Sequence, residues 1–320
     1  MQNRYVGDIG DYLKLGILRA LSPGYRLGVA WWLHPDEEHN EDGRHIGYLR
    51  RDKEWRSFDP ELFDALDRIV GTGRRSIRAL EEANLLPDAV FASEFIPCGG
   101  LIRLRQQDRR EWFAVVKKCL TNADLVFVDP DNGLEPDGFT TITLKAGKSI
   151  SFDEMRELAF GRCIIAYHHQ TRRKGGHLAE IEHLAARLRR SGFKTVDALR
   201  AKPYSPRVFF LLDAPAEIRV RAERIAAHWT GLITWHAAIG GANLAVFPRA
   251  DHGNTDAVPE QGDIETPVPN GAAYDRMTEP GIFMIGDEVI YDGEAKHFGV
   301  KPLTKLSVLP SERSDMGNNR

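Results

Sequence analysis

A turn with three polar side chains follows a short apolar segment near the middle of the chain. Residues 125–128 are uniformly apolar and run directly into Asp129-Pro130-Asp131-Asn132-Gly133. An apolar segment of this length is typical of a buried strand, and ligands bind beyond the carboxyl ends of strands in open α/β sheets. The same residue types form ordinary β-turns, which is the alternative interpretation. We predict that the candidate catalytic residues include Asp129, Pro130, Asp131 and Asn132.

A second apolar segment also ends in titratable side chains. Residues 163–167 are predicted to form a strand, and His168, His169 and Gln170 follow it. Imidazole can bind a metal, move protons or hydrogen-bond a base. Neighbouring residues on a strand point to opposite faces, so the two histidines are not expected to share one metal. We take both His168 and His169 as candidate catalytic residues. The alternative is one core histidine and one solvated histidine.

A basic run comes shortly after the histidines. Arg172, Arg173 and Lys174 precede two glycines, Gly175 and Gly176. This pattern predicts contact with phosphate or nucleic acid, although runs of charge are usually solvated faces.

The start of the chain carries a third candidate site. Gly7, Asp8 and Gly10 precede residues 11–21, whose apolar spacing predicts a helix. The free N–H groups and positive dipole at the start of a helix suit a carboxylate or phosphate, and Lys14 lies about one turn in. Helix capping by Asp8 or Asp11 is the alternative explanation.

An acid-rich segment follows the first predicted strand, residues 27–33. Residues 34–45 are rich in Asp, Glu and His, but they contain no metal-ligand spacing such as H-E-x-x-H. The position after a strand favours a binding loop, and Asp36 is the candidate residue within it.

Strands and helices alternate from Gly10 to about Pro248, where residues 242–247 are the last predicted strand. This alternation predicts an α/β fold, Rossmann-like, with a mostly parallel sheet and helices on both faces. Residues 194–199 and 207–212 are predicted to form an antiparallel pair. We expect a catalytic or binding domain over residues 1–249 and a linker over 250–278. A small β-containing segment is expected over 279–320.

Composition limits the classes of protein that need to be considered. The 320 residues carry 43 Lys and Arg against 46 Asp and Glu, a net charge of −3. This balance excludes a wholly basic surface but leaves room for a local basic face that binds nucleic acid. No apolar run is long enough to span a membrane, and the three cysteines lack metal-binding spacing. We expect a cytoplasmic protein; the oligomeric state is left open.

Two of these motifs resemble a known family. The block Gly7-Asp8-Ile9-Gly10-Asp11-Tyr12-Leu13-Lys14 is similar to the opening of the bacterial ribosomal-RNA adenine methyltransferases, which are Rossmann-like enzymes that use S-adenosylmethionine. Residues 129–132 fall where amino-methyltransferases carry Asp-Pro-Pro-Tyr. The chain also resembles a group of bacterial and phage-associated proteins that share Gly-Asp-x-Gly-Asp-Tyr-x-Lys and Asp-Pro-Asp-Asn-Gly-Leu-Glu.

The resemblance implies a methyltransferase with S-adenosylmethionine as cofactor and a nucleic-acid base or another amine as acceptor. Lys14 would pair with the carboxylate of the cofactor, and Asp36 would bind its ribose. Asp129 would accept a hydrogen bond from the amine that is methylated. The remaining implied contacts are made to the cofactor by Gly7, Asp8 and Gly10, and to the acceptor by Pro130 and Asn132.

The sequence departs from this family at two positions. The first predicted strand is followed by no glycine until Gly43, and Asp131 stands where the family has a proline. An acid-rich strand end also suits Mg²⁺ or Mn²⁺, so the alternative is a metal-dependent phosphodiesterase or nuclease. Its ligands would be Asp129, Asp131, Glu135 and His169. A third hypothesis is a non-catalytic scaffold that binds a nucleotide or a partner protein.

Overall fold

A computed structural model describes residues 1–37, 43–239, 282–285 and 288–291. Contacts divide the chain into two units, Met1–Pro248 and Arg249–Arg320. The linker predicted over residues 250–278 and the strand predicted over residues 242–247 lie outside the described residues. No described helix has the length and apolar character needed to cross a membrane.

Strands account for the centre of the first unit. They are β1 (Leu27–Ala30), β2 (Val90–Ala92), β3 (Leu125–Val128), β4 (Gly133–Leu134), β5 (Ser149–Ile150), β6 (Cys163–His169), β7 (Val196–Ala201), β8 (Arg207–Leu212) and β9 (Ile233–His236). The second unit contains β10 (Ile282–Ile285) and β11 (Glu288–Tyr291), which pair antiparallel.

Seven of these strands form one sheet in the order β2-β1-β3-β6-β8-β7-β9. The first four strands in this order, β2, β1, β3 and β6, are parallel to one another. β8 runs antiparallel to both of its neighbours, β6 and β7, and β9 runs antiparallel to β7. The predicted fold class and the predicted β7–β8 pair are therefore confirmed.

Helices cover both faces of the sheet. They are α1 (Ile9–Leu21), α2 (Asp52–Trp55), α3 (Pro60–Gly71), α4 (Ile77–Glu82), α5 (Ile102–Cys119), α6 (Phe152–Ala159), α7 (Gly176–Arg190) and α8 (Ala216–His228). Two apolar clusters result, and β3 contributes to both: Phe127 lies in one, while Val126 and Val128 lie in the other. This division follows from strand geometry, because successive side chains point to opposite faces.

The chain turns earlier after β1 than the sequence indicates. The predicted strand 27–33 ends at Ala30, because Trp32 adopts a left-handed backbone conformation with φ of 51°. This conformation is costly for a bulky residue and is usually taken by glycine. The Trp32 ring is buried and packs edge-on against Trp112, with the ring centres 4.6 Å apart. A tryptophan thus adopts the turn conformation that glycine usually takes.

Candidate active-site cleft

A cleft of about 340 Å³ lies at the carboxyl edge of the parallel strands. Its walls come from the start of α1, the turn after β3, the end of β6 and the loop before β8. β1 has β2 on one side and β3 on the other, so the order in which strands are added to the sheet reverses at β1. Crevices at such switch points are the usual ligand sites of open α/β sheets.

The cleft brings together seven of the residues singled out from the sequence. They are Asp8, Gly10, Lys14, Asp129, Asp131, Asn132 and His169. Their meeting depends on the parallel pairing of β3 and β6, in which Val128 lies opposite Ala166. Asp129 directly follows β3, and His168 and His169 are the last residues of its parallel neighbour β6, so all three lie at this edge of the sheet.

A buried ion cluster connects α1 to the end of β3. Lys14 Nζ donates to Asp129 Oδ2 at 2.6 Å and to Asp11 Oδ1 at 2.8 Å. All three residues are at most 4% exposed. Burial raises the pKa of both carboxyl groups, although Lys14 opposes the shift. Burial also disfavours the charge on Lys14, but the two aspartates outweigh it and raise its pKa. The cluster therefore fixes the Asp129 carboxyl in place.

Asp131 is also paired within the protein. The amino group of Met1 lies 2.5 Å from Asp131 Oδ1, and Gln2 Nε2 donates to Asp131 Oδ2 at 2.5 Å. The same amino group donates to the carbonyl oxygens of Asp129 at 2.9 Å and Trp32 at 3.2 Å. Burial would raise the pKa of Asp131, but the ammonium group of Met1 outweighs it and lowers that pKa. Asp131 is therefore an ionised side chain in the floor of the cleft.

Backbone contacts hold the turn that carries these acids. The N–H of Asn132 donates to the carbonyl of Lys148 at 2.8 Å, and its carbonyl accepts from the N–H of His169 at 3.3 Å. Gly133 has φ of 98°, and a Cβ there would lie 2.5 Å from the Cα of His168. Only glycine fits this approach without displacing β6. The turn is consequently rigid, and it leaves Asn132 exposed at the cleft.

The two histidines have different surroundings, as the strand alternation predicts. His168 is buried: the N–H of Leu134 donates to its Nδ1 at 3.2 Å, and its Nε2 lies 3.5 Å from Glu180 Oε1. His169 lines the cleft, with Nε2 3.2 Å from Ser205 Oγ. His168 therefore connects β4 to α7, and His169 is the histidine that can meet a ligand.

The opening block has partly structural contacts. Asp8 caps α1 by accepting from the N–H of Asp11 at 3.0 Å, as in the capping alternative. A Cβ on Gly7 would lie 2.5 Å from a methyl group of Val70, so Gly7 faces the core. Gly7 is not among the described residues that line the cleft.

Other predicted site residues lie outside the described cleft lining. Asp36 is exposed, and its Oδ1 accepts from the N–H of Arg4 at 3.3 Å. Pro130 is buried behind the turn. The basic run on the loop between β6 and α7 is exposed, and Arg173 Nη1 lies 3.5 Å from Asp137. The predicted residues that do not reach the cleft are thus Gly7, Asp36, Pro130, Glu135, His168, Arg172, Arg173 and Lys174.

Three of the four residues of the alternative metal site, Asp129, Asp131 and His169, line the cleft, but Glu135 does not. Glu135 lies 3.2 Å from Arg187 and accepts from the N–H of Phe152 at 3.3 Å, away from the cleft. Asp129 and Asp131 are each paired with a cation. Over the described ranges, no three His, Cys, Asp or Glu side chains are placed to hold a metal ion.

Arg207 is a cleft residue that was not predicted from the sequence. It begins β8, opposite His169 in the β6–β8 pair, and lines the cleft although it is only 5% exposed. Its Nη1 donates to the carbonyls of Pro203 at 3.1 Å and Ser205 at 2.8 Å. The available signal was a charged residue directly before the apolar residues 208–212, after a loop with two prolines.

The sheet order and the cleft at its switch point define a Rossmann-like α/β protein with a cleft lined mainly by polar and charged residues. The chain matches no protein-family model, and comparison with curated proteins and with solved structures found no similar protein.

Proposed function

We propose that this protein is an S-adenosylmethionine-dependent methyltransferase that methylates an amino group of a nucleic-acid base or of another amine. The observation that carries the proposal is the position of the turn 129–132. It forms the floor of a cleft at the switch point of a Rossmann-like sheet, opposite the start of α1. These are the two motifs on which the resemblance rests.

The cleft fits such a cofactor in size and in charge. Its volume of about 340 Å³ lies within the usual range for cofactor pockets, about 300–1,000 Å³. Its walls carry charged side chains of both signs, which suit the zwitterionic amino-acid end of S-adenosylmethionine. Tyr5 and His45 also line it and offer flat rings against which an adenine can pack.

The residues of the cleft have different roles in methyl transfer. S-adenosylmethionine, when bound, would supply an electrophilic methyl group, and its sulfur would keep the electron pair of the broken sulfur–methyl bond. Asp129 accepts a hydrogen bond from the acceptor N–H and takes the proton that the nitrogen loses as its new N–C bond forms. Burial raises the pKa of Asp129, which makes its carboxylate a better proton acceptor.

Lys14 has a positioning role in this proposal, in place of the cofactor contact implied by the resemblance. Its ammonium group is already neutralised by Asp11 and Asp129. It therefore orients the carboxylate of Asp129 toward the acceptor. Asn132, exposed at the cleft beside Asp129, can bind the acceptor through its side-chain amide.

The charge on α5 supports a nucleic acid as the source of the acceptor base. Arg103, Arg110 and Lys118 are exposed along this helix. Such side chains attract a phosphate backbone, and the attraction weakens as salt is added.

Calorimetric titration with S-adenosylmethionine tests the proposal. We expect binding by the wild-type chain, and transfer of a labelled methyl group to RNA, DNA or a small amine. Asp129→Asn should retain cofactor binding within a few-fold but lose transfer by about a hundredfold or more, because an amide accepts no proton. Asp124→Asn, at the other end of β3 and exposed, is the matched control. Absence of cofactor binding would refute the proposal. Stabilisation by Mg²⁺ or Mn²⁺ instead would favour a metal-dependent hydrolase, and a response to none of these would favour a scaffold.

A further inference from the structure

Arg207 differs from the other cations of the cleft in what it binds. Lys14 pairs with Asp11 and Asp129, Lys148 pairs with Glu37, and the amino group of Met1 pairs with Asp131. The guanidinium group of Arg207 instead binds two backbone carbonyls, both through Nη1. Its charge is therefore not neutralised by a directly bonded carboxylate among the described residues.

The other edge of the guanidinium group borders the start of α1. A Cβ added to Gly10 would lie 3.0 Å from Arg207 Nε and 3.1 Å from Nη2. Within the part of the chain that the structure describes, neither nitrogen has a hydrogen-bond partner, and neither is a fully enclosed orphan atom. Because Arg207 lines the cleft, this pair of donors is open to it. Nε and Nη2 form the planar fork that binds both oxygens of a carboxylate or phosphate.

We infer that Arg207 is the anion-binding residue of the cleft and holds a carboxylate or phosphate group of the ligand through Nε and Nη2. Burial at 5% exposure favours this role, because a desolvated arginine with open donors gains more from an anion than a solvated one does. Its bonds to Pro203 and Ser205 hold the group in one orientation, so little side-chain freedom is lost on binding.

Asp8 favours a carboxylate that belongs to an amino acid over a bare phosphate. Its Oδ1 lies 2.9 Å from the same Cβ point beside Gly10 that Arg207 Nε approaches to 3.0 Å. A positive and a negative side chain thus stand side by side, which matches the adjacent carboxylate and ammonium of an α-amino acid. A phosphate dianion would still bind Arg207, but more weakly than a carboxylate, because Asp8 repels its second negative charge. The inference that this ligand is S-adenosylmethionine rests on the proposed function. The inference that Arg207 binds an oxyanion is independent of it.

Two ligands that differ in the amino-acid group separate these possibilities. Calorimetry compares S-adenosylmethionine with 5′-methylthioadenosine, which keeps the adenosine and the sulfur but lacks the carboxylate. Arg207→Gln should weaken binding of S-adenosylmethionine by about tenfold or more, the effect of losing a charge-assisted pair, and leave 5′-methylthioadenosine unchanged. Arg162→Gln is the matched control, because Arg162 also binds two carbonyls, those of Leu120 and Ala123, but precedes β6 at the opposite edge of the sheet.

A second measurement keeps the inference testable if the cofactor does not bind. Melting temperatures are compared in sodium phosphate and in sodium chloride of equal ionic strength. A phosphate-specific rise in the wild type that Arg207→Gln abolishes would support the anion site while the proposed function fails. If Arg207→Gln does not fold, Gly10→Ala replaces it, since its Cβ displaces Nε and Nη2. Equal responses of wild type and variant to all three ligands would overturn the inference. The inference would also be overturned if Arg207→Gln lost equal affinity for S-adenosylmethionine and for 5′-methylthioadenosine.

Discussion

Lys14 and Asp129, 115 positions apart in the chain, share a buried hydrogen bond of 2.6 Å. The bond joins the first helix to the end of β3, and a third member of the cluster, Asp11, lies 2.8 Å from the same ammonium group. Stability and site geometry therefore depend on the same contact.

Removal of Lys14 should destabilise the fold strongly. Lys14→Met leaves Asp11 and Asp129 buried without their cation, and loss of one partner from a buried pair costs about 3–5 kcal/mol. Urea unfolding at neutral pH measures the change. Arg26→Met, which breaks the exposed pair of Arg26 with Asp124, is the control and should change little. Equal effects of the two substitutions would contradict the buried cluster.

Glu180 should make stability depend on acid pH. Burial opposes its ionisation, but hydrogen bonds from His168 and Thr171 outweigh it and lower its pKa to about 2, from 4.5 in the unfolded chain. The ionised form therefore stabilises the fold above about pH 4.5, and this contribution is lost as the pH falls through about 2.

Unfolding measured from pH 2 to pH 7 checks this dependence. The free energy of unfolding should be higher for wild type than for Glu180→Gln, and this difference should be about 3 kcal/mol larger at pH 7 than at pH 2. Glu182→Gln, exposed on the same helix, should follow the wild-type curve. A Glu180→Gln curve parallel to wild type would show that Glu180 does not carry the effect.

Gly133 and Gly138 offer a matched pair that separates steric collision from backbone strain. Both have positive φ, 98° and 75°, but a Cβ on Gly133 would collide with His168, whereas nothing lies within 4 Å of one on Gly138. Gly138→Ala should cost about 1 kcal/mol from strain alone. Gly133→Ala should cost about 3 kcal/mol or more, because β6 must shift. Chemical denaturation of both variants gives the comparison, and similar losses would mean that the turn can move away from β6.

Asp131 distinguishes the methyltransferase from the metal-dependent enzyme. Its carboxylate already pairs with the amino group of Met1, so we expect no stabilisation of the wild type by Mg²⁺ or Mn²⁺. Asp131→Asn should leave S-adenosylmethionine affinity within about tenfold, because asparagine keeps the size and most of the hydrogen-bonding capacity. Thermal shift and calorimetry measure both quantities. Ion binding that disappears in Asp131→Asn would instead support a metal site.

The pattern of apolar residues was enough to predict the parallel strands, because strands buried on both faces are uniformly apolar, as in residues 125–128. It could not predict the end of β1, because the left-handed conformation of Trp32 depends on packing against Trp112. β9 was not predicted; it is a short edge strand in which three of the four residues are only partly buried.

Predicted residues reached the cleft where a strand led directly into it. Asp129, Asn132 and His169 reached the cleft because their strands are parallel neighbours. The sequence could not indicate that Lys14 is neutralised by two aspartates, because that depends on long-range contact. Arg207 was missed for a similar reason: only the antiparallel register with β6 brings it to this edge.

The antiparallel placement of β8 has a consequence for protein fragments. A piece of the chain that stops before Pro203 contains Lys14 and Asp129 but lacks the strand that borders β6. Such a piece exposes one whole edge of β6 and lacks Arg207, so it should neither remain soluble nor recognise an anion. Adding back the missing piece, residues 203–320, as a separate polypeptide would restore both properties only by inserting β8 between β6 and β7. Complementation of split halves is therefore expected to be slow here, and a cut after β8, in the loop 213–215, is the better place to divide the protein.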